Sequence, residues 1–214
     1  MEDLVSIFAV LLILLNFRLL GTSRLAAGIQ TAALQAIVLG ILPILANPSI
    51  SMQLVIILLV ATILKAGVLP WLIKRSAREA GVQHEVEPIL GFTSSLLVGV
   101  GLMVACISIA SRLHMPPEAK SGLLVPVALF TVFCGLFLII FRRNAVTQVL
   151  GYLVMENGIF LFGMAFAVHE AFLVEMGVLL DVFAAVFVMG IAIYHISREF
   201  DHIDTDRMST RWEQ

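Results

Sequence analysis

Apolar residues in this chain come in long, nearly charge-free runs separated by short polar punctuation. Seven runs stand out, at approximately 4–20, 25–46, 51–73, 89–110, 122–141, 145–168 and 171–197. A helix needs about 20 such residues to cross the roughly 30 Å hydrocarbon layer of a bilayer. The pattern therefore predicts an all-α, polytopic helical bundle of about seven transmembrane helices. The first run lacks a basic leading segment and a small-residue cleavage site, so it is expected to be retained as a helix. Its acidic start, Glu2 and Asp3, agrees with an N-terminus outside the membrane.

Composition supports the same class. Of 214 residues, 60% are hydrophobic and 13% charged, with a mean hydropathy of +1.05, well beyond what one soluble core requires. Charge placement sets the orientation. With the N-terminus outside and the C-terminus cytoplasmic, the inner segments hold Arg18, Arg24, Lys74, Arg75, Arg78, Arg142, Arg143, Arg198, Arg207 and Arg211, while the outer segments hold only Arg112 and Lys120. That asymmetry is what the positive-inside rule predicts. The inner loop 74–88 and the tail from 198 to 214 carry mixed charge and are read mainly as solvated faces. No internal repeat or low-complexity tract is present.

Redox and nucleotide chemistry find little support in the residues. Cys106 and Cys134 lie alone in apolar runs, without the spacing of a zinc site or an iron–sulfur cluster, and are expected to be small buried hydrophobes. His169 and His195 fall at opposite membrane surfaces, and His84, His114 and His202 in loops or the tail, so no matched pair of haem ligands arises. Gly99 and Gly101 belong to a span, where helix packing is their expected use. No cofactor is expected in this chain.

The chemistry must then reside in the few polar groups within spans. A charge at mid-membrane costs roughly 2.5–3.5 kcal/mol on insertion scales and usually faces a partner or a wet path. Lys65, Glu156, Glu175 and Asp181 are such positions. Glu156 lies near the centre of the sixth span, Asp181 about ten residues into the seventh, Glu175 nearer the outer surface, and Lys65 near the middle of the third. Burial penalises the charged form of either residue type, which poises such groups to take up or release protons. The alternative is a structural pair of Glu156 with Lys65, or bonds to backbone, that fixes helix packing. Asp181 and His195 are two heptads apart, on nearly one helix face with about 21 Å of rise between them, a possible route from mid-membrane to the cytoplasmic surface. Asn157 and Gly158 suit close approach of another helix.

FRRNAVTQVLGYLVMENG, at residues 141–158, resembles the second helix of the small three-helix subunit of respiratory complex I and of its multi-subunit cation/proton antiporter relatives. Together with LVEMGVLLDVFAAVFVMGI and LKAGVLPWLI, it is more similar to the longer hydrogenase-4 component E family of formate hydrogenlyase and related energy-converting hydrogenases. The resemblance covers the C-terminal third well and the remainder in patches. It implies one transmembrane domain with an N-terminal four-helix part at 1–121, a three-helix part like the small complex I subunit at 122–197 and a cytoplasmic tail at 198–214.

The implied function is that of a non-catalytic subunit in the cytoplasmic membrane of a prokaryote, coupling electron transfer to proton translocation. The implied partners are antiporter-like membrane subunits, a complex-I-like membrane anchor and a peripheral hydrogenase arm, with a nickel–iron site and iron–sulfur clusters in partner subunits. Glu156, Glu175, Asp181 and Lys65 become the nominated buried polar set, with His195 as the inward extension. In the small complex I subunit the helix glutamate follows the glycine by two positions, at Leu153 here, whereas Glu156 follows Gly151 by five. That shift of three residues, about one turn, leaves the carboxyl on the same face but at a different depth. A structural scaffold in the same complex, or a subunit of a cation/proton antiporter, is the alternative.

Overall fold

The computed structural model of the protein describes residues 2–46, 52–79, 90–113 and 122–166. Every element there is helical: α1 (Glu2–Gly21), α2 (Leu25–Ala46), α3 (Met52–Ile63), a π-helical turn (Leu64–Val68), α4 (Leu69–Glu79), α5 (Phe92–Ala110), α6 (Leu124–Phe141) and α7 (Ala145–Phe166). The segments α3, π turn and α4 follow one another without a break and make one rod. Six rods among the described residues are long and apolar enough to cross a membrane. The chain is a multi-pass membrane protein. The seventh expected span, 171–197, lies outside the described residues.

Helix boundaries follow the apolar runs to within a few residues, with one correction. Residues 74–79, read from the sequence as loop, continue the helix as the end of α4. Its polar residues alternate with Ile73 and Ala77, which are buried against the bundle, so packing on one side carries the helix past the point where hydropathy falls.

The rods alternate in direction, and two cores form at opposite ends. One joins Leu19 and Leu20 of α1, Ile29 of α2, Ile73 of α4, Phe137 of α6 and Leu150 of α7. The other joins Ala9 and Leu12 of α1, Leu42 of α2, Leu124 and Ala128 of α6 and Leu161 of α7. The first therefore gathers the C-terminal ends of α1, α4 and α6 with the N-terminal ends of α2 and α7, the end where Arg24, Lys74, Arg142 and Arg143 lie. Cys106 and Cys134 are buried in it as free thiols, as expected of small apolar residues.

In cross-section α6 and α7 form the most intimate pair. Helix α1 packs on α2, α5 and α6, whereas α2 packs on α1, α7 and the α3–α4 rod. That rod is peripheral, with 17% of its span Val55–Arg75 buried against 56% for α2 and 61% for α6. Large apolar residues on α3 and α5, such as Ile56, Val60, Leu97 and Val104, face outward. Lipid tails are as apolar as these side chains, so such exposure carries no penalty in a bilayer.

Candidate mid-membrane polar site

Glycine sets the position of α7. A Cβ built at Gly135 would lie 2.6 Å from Met155 Cα, one at Gly151 2.8 Å from Gly135 O, and one at Gly158 2.5 Å from Val132 N. Backbone occupies the space that side chains would need, so only glycine permits this approach of α6 and α7. The expectation for Gly158 is met. Gly99 also serves packing, against Leu20 and Phe17, but Gly101 meets open space and has no packing role within the described residues.

The turn between these helices is equally specific. Asn144 caps α7, its Oδ1 accepting the Val146 N–H at 2.9 Å, and Gln148 Nε2 donates to Arg142 O at 3.0 Å. Arg142 is buried at 2% exposure, donates from Nη2 to Leu20 O at 3.1 Å and lies over the Phe92 ring at 4.6 Å. The RRN sequence thus ties α6 and α7 to α1 and α5.

Held this way, α7 presents Glu156 inward at 1% exposure. Lys65 Nζ lies 2.6 Å from Glu156 Oε1, a close ion pair. The ammonium also stands 5.7 Å from the centroid of Phe160, one turn beyond Glu156 on the same face. Lys65 is ten residues from either end of its span and Glu156 ten from Val146, so the pair sits at mid-membrane. A cavity beside it is lined by Ala32, Ala36, Leu153 and Asn157 as well as the two charges. About 10 Å³ there is open to water centres, room for roughly one molecule. Leu153 and Glu156 share that lining, as expected for positions one turn apart.

The backbone around Lys65 is unusual. Leu69 N–H bonds to Leu64 O, the five-residue step of a π turn, and Pro70 follows with no N–H to close the next turn. Such single-turn bulges reset the direction in which later side chains leave the helix. Here the bulge carries the lysine.

Of the nominated residues, the structure brings Lys65 and Glu156 together. Glu175, Asp181 and His195 lie outside the described residues. Sequence reading passed over an uncharged cluster. Asn16 Nδ2 donates to Thr131 Oγ1 at 2.8 Å, Gln35 Nε2 donates to Asn16 Oδ1 at 2.9 Å, and Thr131 Oγ1 donates to Val127 O at 2.8 Å. All three side chains are buried, and Gln35 Oε1 has no protein partner among the described residues. The signal was present as single amides inside the apolar runs LLILLNFRLL and AALQAIVLG.

Comparison with known proteins gives this geometry a context. Residues 123–212 match the family of NADH-ubiquinone/plastoquinone oxidoreductase chain 4L. Hydrogenase-4 component E of Escherichia coli is 26% identical over 149 residues, covering 70% of this chain and 69% of that protein. The chain is therefore similar to the membrane subunits of complex I and hydrogenase-4, most clearly in its C-terminal part. The Shigella flexneri component E aligns with the same identity and coverage. An uncharacterized protein of Mycobacterium tuberculosis is 34% identical over 146 residues, 68% of this chain and 66% of that one. The chain thus spans about two thirds of the length of these relatives. No solved structure matches it significantly. The bacterial sources of these relatives agree with residence in a prokaryotic cytoplasmic membrane.

Proposed function

We propose that this chain is a non-catalytic membrane subunit of an energy-converting, hydrogenase-type complex, and that Glu156 and Lys65 form a protonatable station at mid-membrane. The observation that carries this reading is the ion pair itself. Two opposite charges stand 2.6 Å apart at the depth where charge is most costly, beside a cavity large enough for a water. At that depth the Coulomb energy of a pair 4 Å apart is on the order of 4 kcal/mol even at an effective dielectric constant of 20. Moving a charge or proton in a neighbouring subunit would therefore change the balance between paired and separated states. Asp181, Glu175 and His195 are proposed to extend the path along the following helix. Nickel–iron and iron–sulfur chemistry belongs to partner subunits in this reading, and the antiporter-like subunits are the expected lateral neighbours.

A second reading is favoured by the glycine-packed α6–α7 pair and the Arg142 tie, which are devices for rigidity. In it the pair only joins helices, and the subunit anchors the peripheral arm. Glu156→Gln separates the two readings because it keeps the shape and removes the charge. Station chemistry predicts an assembled complex that translocates fewer protons per electron. An unchanged ratio in an assembled complex overturns it and leaves the scaffold. A complex that purifies without nickel or iron–sulfur proteins would instead assign the chain to a cation/proton antiporter.

A further inference from the structure

The outward side of the α3–α4 rod is graded in chemistry. Between mid-membrane and its basic end, exposed residues are apolar at Val68, then aromatic at Trp71, then cationic at Lys74, Arg75 and Arg78. The last four occupy positions i, i+3, i+4 and i+7 and so share one helix face, while Ile73 and Ala77 turn the opposite face into the bundle. The Arg75 guanidinium lies 5.7 Å from the Trp71 ring centroid, which joins the aromatic and cationic zones.

Depth gives each zone a counterpart. Lys65 marks the middle of the span. At 1.5 Å per residue, Trp71 is about 9 Å and Lys74 and Arg75 about 14–15 Å further along the axis. Half the hydrocarbon layer is roughly 15 Å, so Lys74 and Arg75 stand at its edge, Arg78 about 20 Å along stands among the headgroups, and the indole lies beneath them. Acyl chains, glycerol boundary and phosphate follow the same order. An acidic soluble segment would engage the cations alone and leave Trp71 and Val68, exposed below them on the same face, without a counterpart.

We propose that the outward face of α4 binds an anionic phospholipid from the adjacent leaflet, its phosphate on Lys74, Arg75 and Arg78 and its chains beside Trp71 and Val68. Juxtamembrane cations each attract anionic headgroups, so three together give a selective site. The inference does not depend on proton transfer at Glu156.

The test uses the full chain, stripped of lipid in mild detergent and titrated with phosphatidylglycerol or phosphatidylcholine, with bound lipid counted by native mass spectrometry. Phosphatidylglycerol should be preferred on the order of tenfold or more. The preference should vanish in K74Q/R75Q/R78Q and survive in R75K/R78K, which keeps the charge. Ionic strength supplies a readout that needs no variant. Near 1 M salt the Debye length falls to about 3 Å, and the preference should collapse. Equal binding of the two lipids, a preference that salt does not touch, or an undiminished preference in the triple variant each overturns the site. Loss of a co-purifying subunit from the triple variant, with lipid retention intact, also overturns it and assigns the face to a protein.

Discussion

The two helices that supply the central charges are held by opposite means. Helix α7 is fixed by backbone-to-backbone contact with α6 through Gly135, Gly151 and Gly158, and it is capped and tied at its start by Asn144 and Arg142. The α3–α4 rod has few buried side chains and an interrupted hydrogen-bond ladder at Lys65. One charge thus sits on the most constrained element and the other on one of the least. Backbone contact is closest where glycine removes side chains, while Lys65 stands on a rod with few such restraints.

Substituting valine at Gly135 should break this contrast most severely. Its Cβ would fall against the Met155 backbone, which cannot move without parting α6 from α7. A loss of about 3 kcal/mol or more, at the upper end of overpacking costs, should appear in thermal unfolding in detergent. Next comes the pair itself. Glu156→Leu or Lys65→Met alone should each cost about 3–5 kcal/mol by stranding a buried charge, whereas the double variant should recover most of that. A double-mutant cycle measures the coupling, and additive costs would show that the two residues do not act together.

Asn16→Leu should be milder, about 1–2 kcal/mol, because it strands the Gln35 amide, leaves Thr131 its bond to Val127 O and leaves no charge alone. The smallest effect is expected for Gly67→Ala in the π turn. A Cβ there meets nothing within 4 Å, so stability should change by less than about 1 kcal/mol, and a gain is as consistent as a loss. A large loss at Gly67 would remove the distinction between a rigid inner pair and a permissive outer rod.

Much of this arrangement was legible in the sequence. Unbroken apolar runs place six of the spans, because a chain in lipid satisfies its backbone internally and hydropathy alone nearly defines a helix. Lys65 and Glu156 announced themselves by their cost at mid-membrane, and their pairing was one of the two outcomes weighed. The Asn16–Gln35–Thr131 cluster was not seen, since uncharged amides tax an apolar run too little to stand out and nothing in their spacing reveals that three different helices converge. The π turn was equally hidden. Pro70 hinted at a disturbed helix, but whether the chain kinks, breaks or inserts a residue is settled by the packing of α2 and α7 around it.

Because Lys65 rides on a peripheral rod and Glu156 on a buried one, sideways pressure on that rod would act on the gap between their charges. A neighbouring subunit leaning against α3 would do electrical work across a few ångströms without touching either residue. The membrane-facing flank of this protein is thus a lever whose short arm is an ion pair.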